Sequence, residues 1–130
     1  MKTDLQAIYE QNNFAPPVRL DYCTAWIYEN GDYSVLKSYN TIVAIFCRNN
    51  HVLIADGFYS KTTSKHIAKF RNTMDEWYGI DELVYLYERS DRIAHMDYRH
   101  GDTWFTKYSK KVTREMIDQY ALDKIKENEQ

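Results

Sequence analysis

The chain has 130 residues, a formal net charge of −2 and 44% hydrophobic residues. That length suits one domain whose core needs no metal or disulfide staple. The composition excludes a disordered chain, and the charge argues neither for a bulk nucleic-acid binder nor for an acidic DNA mimic.

Residues 3 to 12 read as a short helix, with Leu5, Ile8 and Tyr9 on one face and Thr3 or Asp4 as cap. Pro16-Pro17 stops it and extends the next segment. A strand is expected from Thr24 to Tyr28, a turn at Asn30-Gly31-Asp32, and a second strand from Tyr33 to Tyr39. That strand would carry Tyr33, Val35, Lys37 and Tyr39 on one face.

The strongest local pattern follows. Thr41 to Cys47 and His51 to Ala55 are rich in β-branched residues, and Asn49-Asn50 lies between them. Asn tolerates positive φ, so a two-residue hairpin turn is expected there. The hairpin would pair Cys47 with Val52, Phe46 with Leu53 and Ile45 with Ile54. Both of its faces are apolar, so it should be covered on both sides.

Gly57 ends the hairpin. A helix is predicted from about Ser64 to Met74, with Thr62, Thr63 and Ser64 as competent caps. Thr63, Ile67, Phe70 and Met74 form its inward stripe, and Lys61, Lys65 and Lys69 lie on the opposite side. Residues 82 to 95 fit a strand or a helix, and the alternation of Leu83, Tyr85 and Tyr87 favours the strand. His100-Gly101-Asp102 reads as a turn, and Thr103 to Tyr108 as a strand. A last helix starts near Thr113 with Met116, Ile117, Tyr120 and Ala121 as its apolar face. Lys124 interrupts that arc, so fraying is expected beyond Leu122 and a loose tail from Lys126. The expected fold is α+β: a single domain with an antiparallel sheet of about four to six strands and helices packed on it.

Cys23 and Cys47 lack metal-type spacing, and nothing marks the chain as secreted, so no disulfide is expected between them. The N-terminus has no signal-peptide h-region, and no apolar run approaches the ~18 residues needed to span a membrane. A cytoplasmic protein without a membrane partner is expected.

Three segments could carry chemistry. In the first, Lys61, Thr62, Thr63, Ser64, Lys65, His66 and Lys69 gather hydroxyls and positive charge at a helix start, where backbone N–H groups can hold an anion. No Gly-rich loop precedes it, so it is neither a P-loop nor a dinucleotide fingerprint. His66 lies at the margin of the apolar face and reads as a structural histidine. The second holds His95, Asp97, His100 and Asp102, which could ligate a divalent ion, though their spacing fits no standard site. The third places Lys107, Lys110, Lys111 and Arg114 just after Trp104, Phe105 and Tyr108. Basic residues among aromatics suit single-stranded nucleic acid. A capped, solvated helix face and polar strand surfaces explain the same residues.

The run Ser38-Tyr39-Asn40-Thr41-x-Val43-Ala44, followed by a hairpin and Tyr59-Ser60-x-Thr62-Thr63-Ser64-x-His66, resembles a group of small proteins of phages, plasmids and other mobile elements of Gram-positive bacteria. The likeness covers residues 38 to 70, about a quarter of the chain. It implies that Tyr39, Thr62, Thr63, Ser64 and His66 form one unit, and it brings no assigned activity. The function expected first is a non-enzymatic accessory protein that binds a host protein or ribonucleoprotein complex, for example as an anti-CRISPR inhibitor. The second is a nucleic-acid-binding module using the two basic segments. The third is a metal-dependent hydrolase centred on His95, Asp97 and His100. No cofactor is expected.

Overall fold

The structure, a computed structural model, describes residues 5–20, 24–55, 57, 59–88, 94–106 and 114–128. Helix α1 (Leu5–Gln11) precedes five strands: β1 (Val18–Arg19), β2 (Ala25–Glu29), β3 (Tyr33–Ser38), β4 (Thr41–Cys47) and β5 (Val52–Ala55). Helix α2 (Lys61–Tyr78) leads to β6 (Glu82–Glu88), β7 (Ala94–His100) and β8 (Thr103–Thr106), and α3 (Arg114–Asn128) follows.

The strands form one sheet of eight, in sequence order. The expected four to six strands fall short of this. The expected antiparallel arrangement also fails at one place, because β5 and β6 pair in parallel. A parallel pair needs a long crossover, and α2 supplies it. The fold is an α+β arrangement of helices on both faces of a mostly antiparallel sheet. On the first face, Ile67, Phe70 and Met74 of α2 meet Ile27, Leu36, Phe46, Leu53 and Leu83. On the second, Leu5 of α1 and Ile125 of α3 join Val35, Ile45, Ile54 and Leu86. Strands covered on both sides lose the simple apolar/polar alternation, which is why β4 and β5 read as continuous apolar runs.

The β4–β5 register agrees with the sequence reading at Cys47–Val52, Phe46–Leu53 and Ile45–Ile54. The turn does not. It spans residues 48–51, and its left-handed residue is His51 (φ 54°). Tertiary contacts claim the residues that a two-residue turn would have paired. Arg48 donates from its backbone to the Asp32 carbonyl and from its guanidinium to the Tyr33 carbonyl and Ser34. The His51 carbonyl accepts from Val84 N–H on β6.

Helix α2 is longer at both ends than the periodicity predicts. Ser60 is its N-cap, accepting from Thr63 N–H at 3.3 Å, so Thr62, Thr63 and Ser64 lie inside the first turn. Gly79 closes it in a left-handed conformation (φ 56°), its N–H donating to the Asp75 carbonyl. Helix α3 continues past Leu122 to Asn128. Lys124 does not end it, because its ammonium turns to Glu127 at 3.2 Å while Ile125 docks in the core. The apolar residues expected to form the face of α3 lie among side chains outside the described set, as do Cys23 and residues 107–113. No helix among the described residues is long and apolar enough to cross a membrane.

Candidate functional site

Ser38 is a polar residue at the end of an apolar strand, and it is buried. A buried hydroxyl needs partners. Ser38 Oγ finds two: Thr63 Oγ1 at 3.1 Å and His66 Nδ1 at 2.8 Å. Both partners come from the first two turns of α2, three residues apart and so on one helix face. Thr63 and His66 are themselves buried. The three side chains lock the start of α2 to the end of β3.

The next residue, Tyr39, opens the two-residue turn closed by the Ser38–Thr41 pair. Its φ is +54°, a left-handed value that costs a bulky L-residue on the order of 1 kcal/mol or more. The sequence reading placed Tyr39 inside the strand; the turn takes it instead. Its N–H donates to the Thr24 carbonyl at 2.8 Å. Its ring, half exposed, sits 5.9 Å from the His66 ring, centroid to centroid. An aromatic side chain is thus presented to solvent from a strained position and buttressed by a buried histidine.

The remaining candidates around this unit divide cleanly. Lys61, Thr62, Ser64, Lys65 and Lys69 are exposed on the outer face of α2. Thr63 and His66 are interior supports. Thr63 turns its hydroxyl to Ser38, which removes it from the anion site expected at the helix start. Lys110 and Lys111 lie outside the described residues, and Arg114 begins α3 with its side chain undescribed. The convergence of two basic segments is therefore not among the geometry on which this site rests.

Burial, and then the nearby positive charge of Lys69, holds the His66 pKa below its ordinary value. The neutral ring can accept from Ser38 at Nδ1 while Ser38 accepts from Thr63. Protonation would put a hydrogen on Nδ1 and break that order. Because the folded pKa is depressed, the stabilisation is complete above the ordinary histidine value of 6.5 and is lost as pH falls below it. Melting temperatures measured at pH 7.5 and 5.5 should drop more for the wild type than for His66→Asn. Equal drops would remove His66 from this role.

The Ser38–His66 spacing is that of a nucleophile and its base. The pair is not disposed for that chemistry. Ser38 and His66 are only 2% and 4% exposed, and the serine oxygen is shared with Thr63. The arrangement positions Tyr39 and the first turns of α2.

The metal reading at β7 is corrected by strand geometry. His95 and Asp97 share the first face with Arg99, whereas His100 falls on the second and faces Glu82 at 3.0 Å. Asp97 accepts from the Tyr87 hydroxyl at 2.6 Å. No group of three ligand-type side chains that could hold a metal occurs among the described residues.

Two further polar clusters fasten α2, and the sequence reading missed both. Near its C-terminus, Tyr78 donates to Glu29, and Ser34 and Arg48 complete the cluster. Beside it, Asp75 receives both terminal nitrogens of Arg99, whose guanidinium also lies 5.5 Å from the Trp104 ring centre. Tyr78 and Glu29 lie 49 positions apart and Arg99 and Asp75 lie 24 apart, and no local pattern announces these pairs. Ser60 and Ser38 had a local signal: a serine three residues before a second hydroxyl, and a serine inside an apolar strand.

Neither a curated protein nor a solved structure matches the chain. A family model matches residues 3–81, a stretch that contains β1–β5, α2 and the whole Ser38–Tyr39–Thr63–His66 unit. The chain therefore belongs to that family, a family of unknown function designated DUF8033.

Proposed function

We propose that the protein acts by binding rather than by catalysis, as an accessory protein of a mobile genetic element that engages a host macromolecule. The contact surface in this reading is Tyr39 with the exposed side of the first turns of α2, Lys61, Thr62, Ser64 and Lys65. Inhibition of a host defence complex, as by an anti-CRISPR protein, is its concrete form. The resemblance of residues 38 to 70 to mobile-element proteins motivates the biological setting.

The observation that carries the binding role is Tyr39. A half-exposed aromatic ring held at φ +54° is a costly arrangement, and a buried three-residue hydrogen-bonded lock stands behind it. Strained residues persist where the surrounding structure over-determines them, and they concentrate at contact and switch sites. Tyrosine on a rigid support is well suited to recognition, since it offers area and a hydroxyl at low entropy cost.

Site-specific photocrosslinking tests the reading. A benzoylphenylalanine at position 39, in protein expressed in Gram-positive cells, should yield a covalent adduct with a host macromolecule. The same probe at Glu115, exposed on α3, should not. Absence of an adduct at 39, or the same adduct from both positions, would sink the proposed surface.

A further inference from the structure

On the second face of the sheet, Trp26 of β2 stands directly across from Lys37 of β3. The Trp26–Lys37 pair sets an aromatic beside a cation on this face, whereas Arg19 lines the groove against α2 on the other. Helix α1 packs on β4, and α3 on β4, β5 and β7. Among the described residues, the β2–β3 end of this face lies open around Trp26 and Lys37, both partly exposed. Further along β2, Tyr9 and Phe14 close over Tyr28, with the Tyr9 and Tyr28 rings 5.3 Å apart. That stack walls one end of the open area. Tyr39 stands at the other, and Pro17, Trp26, Tyr28, Lys37, Tyr39 and Asn40 line a shallow cleft of about 230 Å³ between them.

Among the residues that line the cleft, the one charged side chain is Lys37, and Glu10 lies in the adjoining groove beyond Pro17 and Tyr28. Lys37 makes no ion pair among the described residues, and the Tyr39 ring at the end of the cleft is backed by the His66 ring. The carboxylate of β2, Glu29, belongs to the first face, where Ser34, Arg48 and Tyr78 hold it. An aromatic platform with a cation beside it and a wall at each end complements unpaired bases on a phosphate chain.

We propose that this platform binds single-stranded nucleic acid, with a base stacked on Trp26, a second against Tyr39, and a backbone phosphate at Lys37. The proposal rests on the binding role above and gives that role a partner. A duplex hides the faces of its bases, so it offers this platform only phosphates. The tyrosine-lined wall and the sheet surface give no base-edge readout, and the binding is sequence-tolerant.

Fluorescence anisotropy with labelled 15-nucleotide oligo-dT and oligo-U tests it, beginning at low salt. Both strands should bind more tightly than a duplex of equal length, and affinity should fall steeply as salt rises. Trp26→Ala should weaken binding by about 5- to 150-fold, the range for loss of one stacked base, while Trp26→Phe keeps most of the affinity. Lys37→Ala should flatten the salt dependence by about 0.7 in log–log slope, the amount for one phosphate contact on a single strand. Thermal melts establish that each variant is folded. If Trp26→Ala fails to fold, the Lys37→Ala slope decides.

No binding of the wild type at low salt would overturn the proposal, as would an unchanged Trp26→Ala affinity. Equal or tighter binding of duplex would overturn it too. Failure here is distinguishable from failure of the binding role itself. A protein adduct at position 39 without oligonucleotide binding would retain the role and discard this partner.

Discussion

Phe70→Ala is expected to destabilise the protein by about 3–5 kcal/mol, the range for emptying a fully buried aromatic site. Phe70 has no solvent exposure and sits in the middle of α2, where that helix meets the first face of the sheet. Its neighbours are strand residues whose positions are set by backbone ladders on both sides, so they have little freedom to close a cavity. A loss of this size corresponds to a drop of roughly 10–20 °C in melting temperature for a domain of this length. Lys65→Ala, on the exposed side of the same helix, should stay within about 0.5 kcal/mol of wild type. Urea unfolding of both variants measures the difference, and a Phe70→Ala protein that melts like the wild type would overturn the placement of α2.

The second large effect concerns Asp75 and Arg99. Both Asp75 oxygens accept from the Arg99 guanidinium, which also donates to the Ile80 carbonyl at 3.0 Å. The Arg99 side chain is 8% exposed, and that of Asp75 30%. Asp75→Ala would strand a cation inside the protein, where it cannot shed its charge. The expected cost is about 3 kcal/mol, the low end for breaking a buried pair, because the Asp75 side lies nearer to water. Removing both charges should cost much less. Asp75→Leu with Arg99→Met replaces the pair by packing, and it should recover most of the loss. A double mutant no more stable than Asp75→Ala would show that the pair itself, and not the stranded charge, supplies the stability.

The sequence disclosed those parts of the fold whose cause is local. The β4–β5 register follows from two apolar runs that must pair over a short connection, and it agrees at every pair read from the sequence. The inward stripe of α2 follows from helical periodicity, and all four of its residues are buried. What escaped depended on distant partners. Three neighbouring hydroxyls could each cap α2; the outcome turned on Ser38, which draws Thr63 inward and leaves the cap to Ser60. The parallel pairing of β5 and β6 escaped because a strand's residues do not encode the direction of its neighbour. Of the unit implied at the candidate site, Tyr39, Thr63 and His66 do meet, and Thr62 and Ser64 stand on its exposed side. One error had a visible remedy. His95 and His100 are an odd number of residues apart, and in a strand that alone puts them on opposite faces.

The parallel β5–β6 contact has a consequence for how the chain can vary. The family match stops at residue 81, one position before β6 begins. In the matched stretch β5 is the outermost strand, yet it is short, apolar and buried on both faces. Its hydrogen-bonding groups on that side would be open to any passing strand, including one from another copy. Strand β6 occupies those groups, and β7 and β8 move the rim of the sheet outward to a pair carrying Arg99, His100 and Asp102 near its closing turn. The part of the chain beyond the match thus covers the edge that β5 would otherwise expose. A relative lacking it would have to shield β5 by other means, or use the open strand to dimerise.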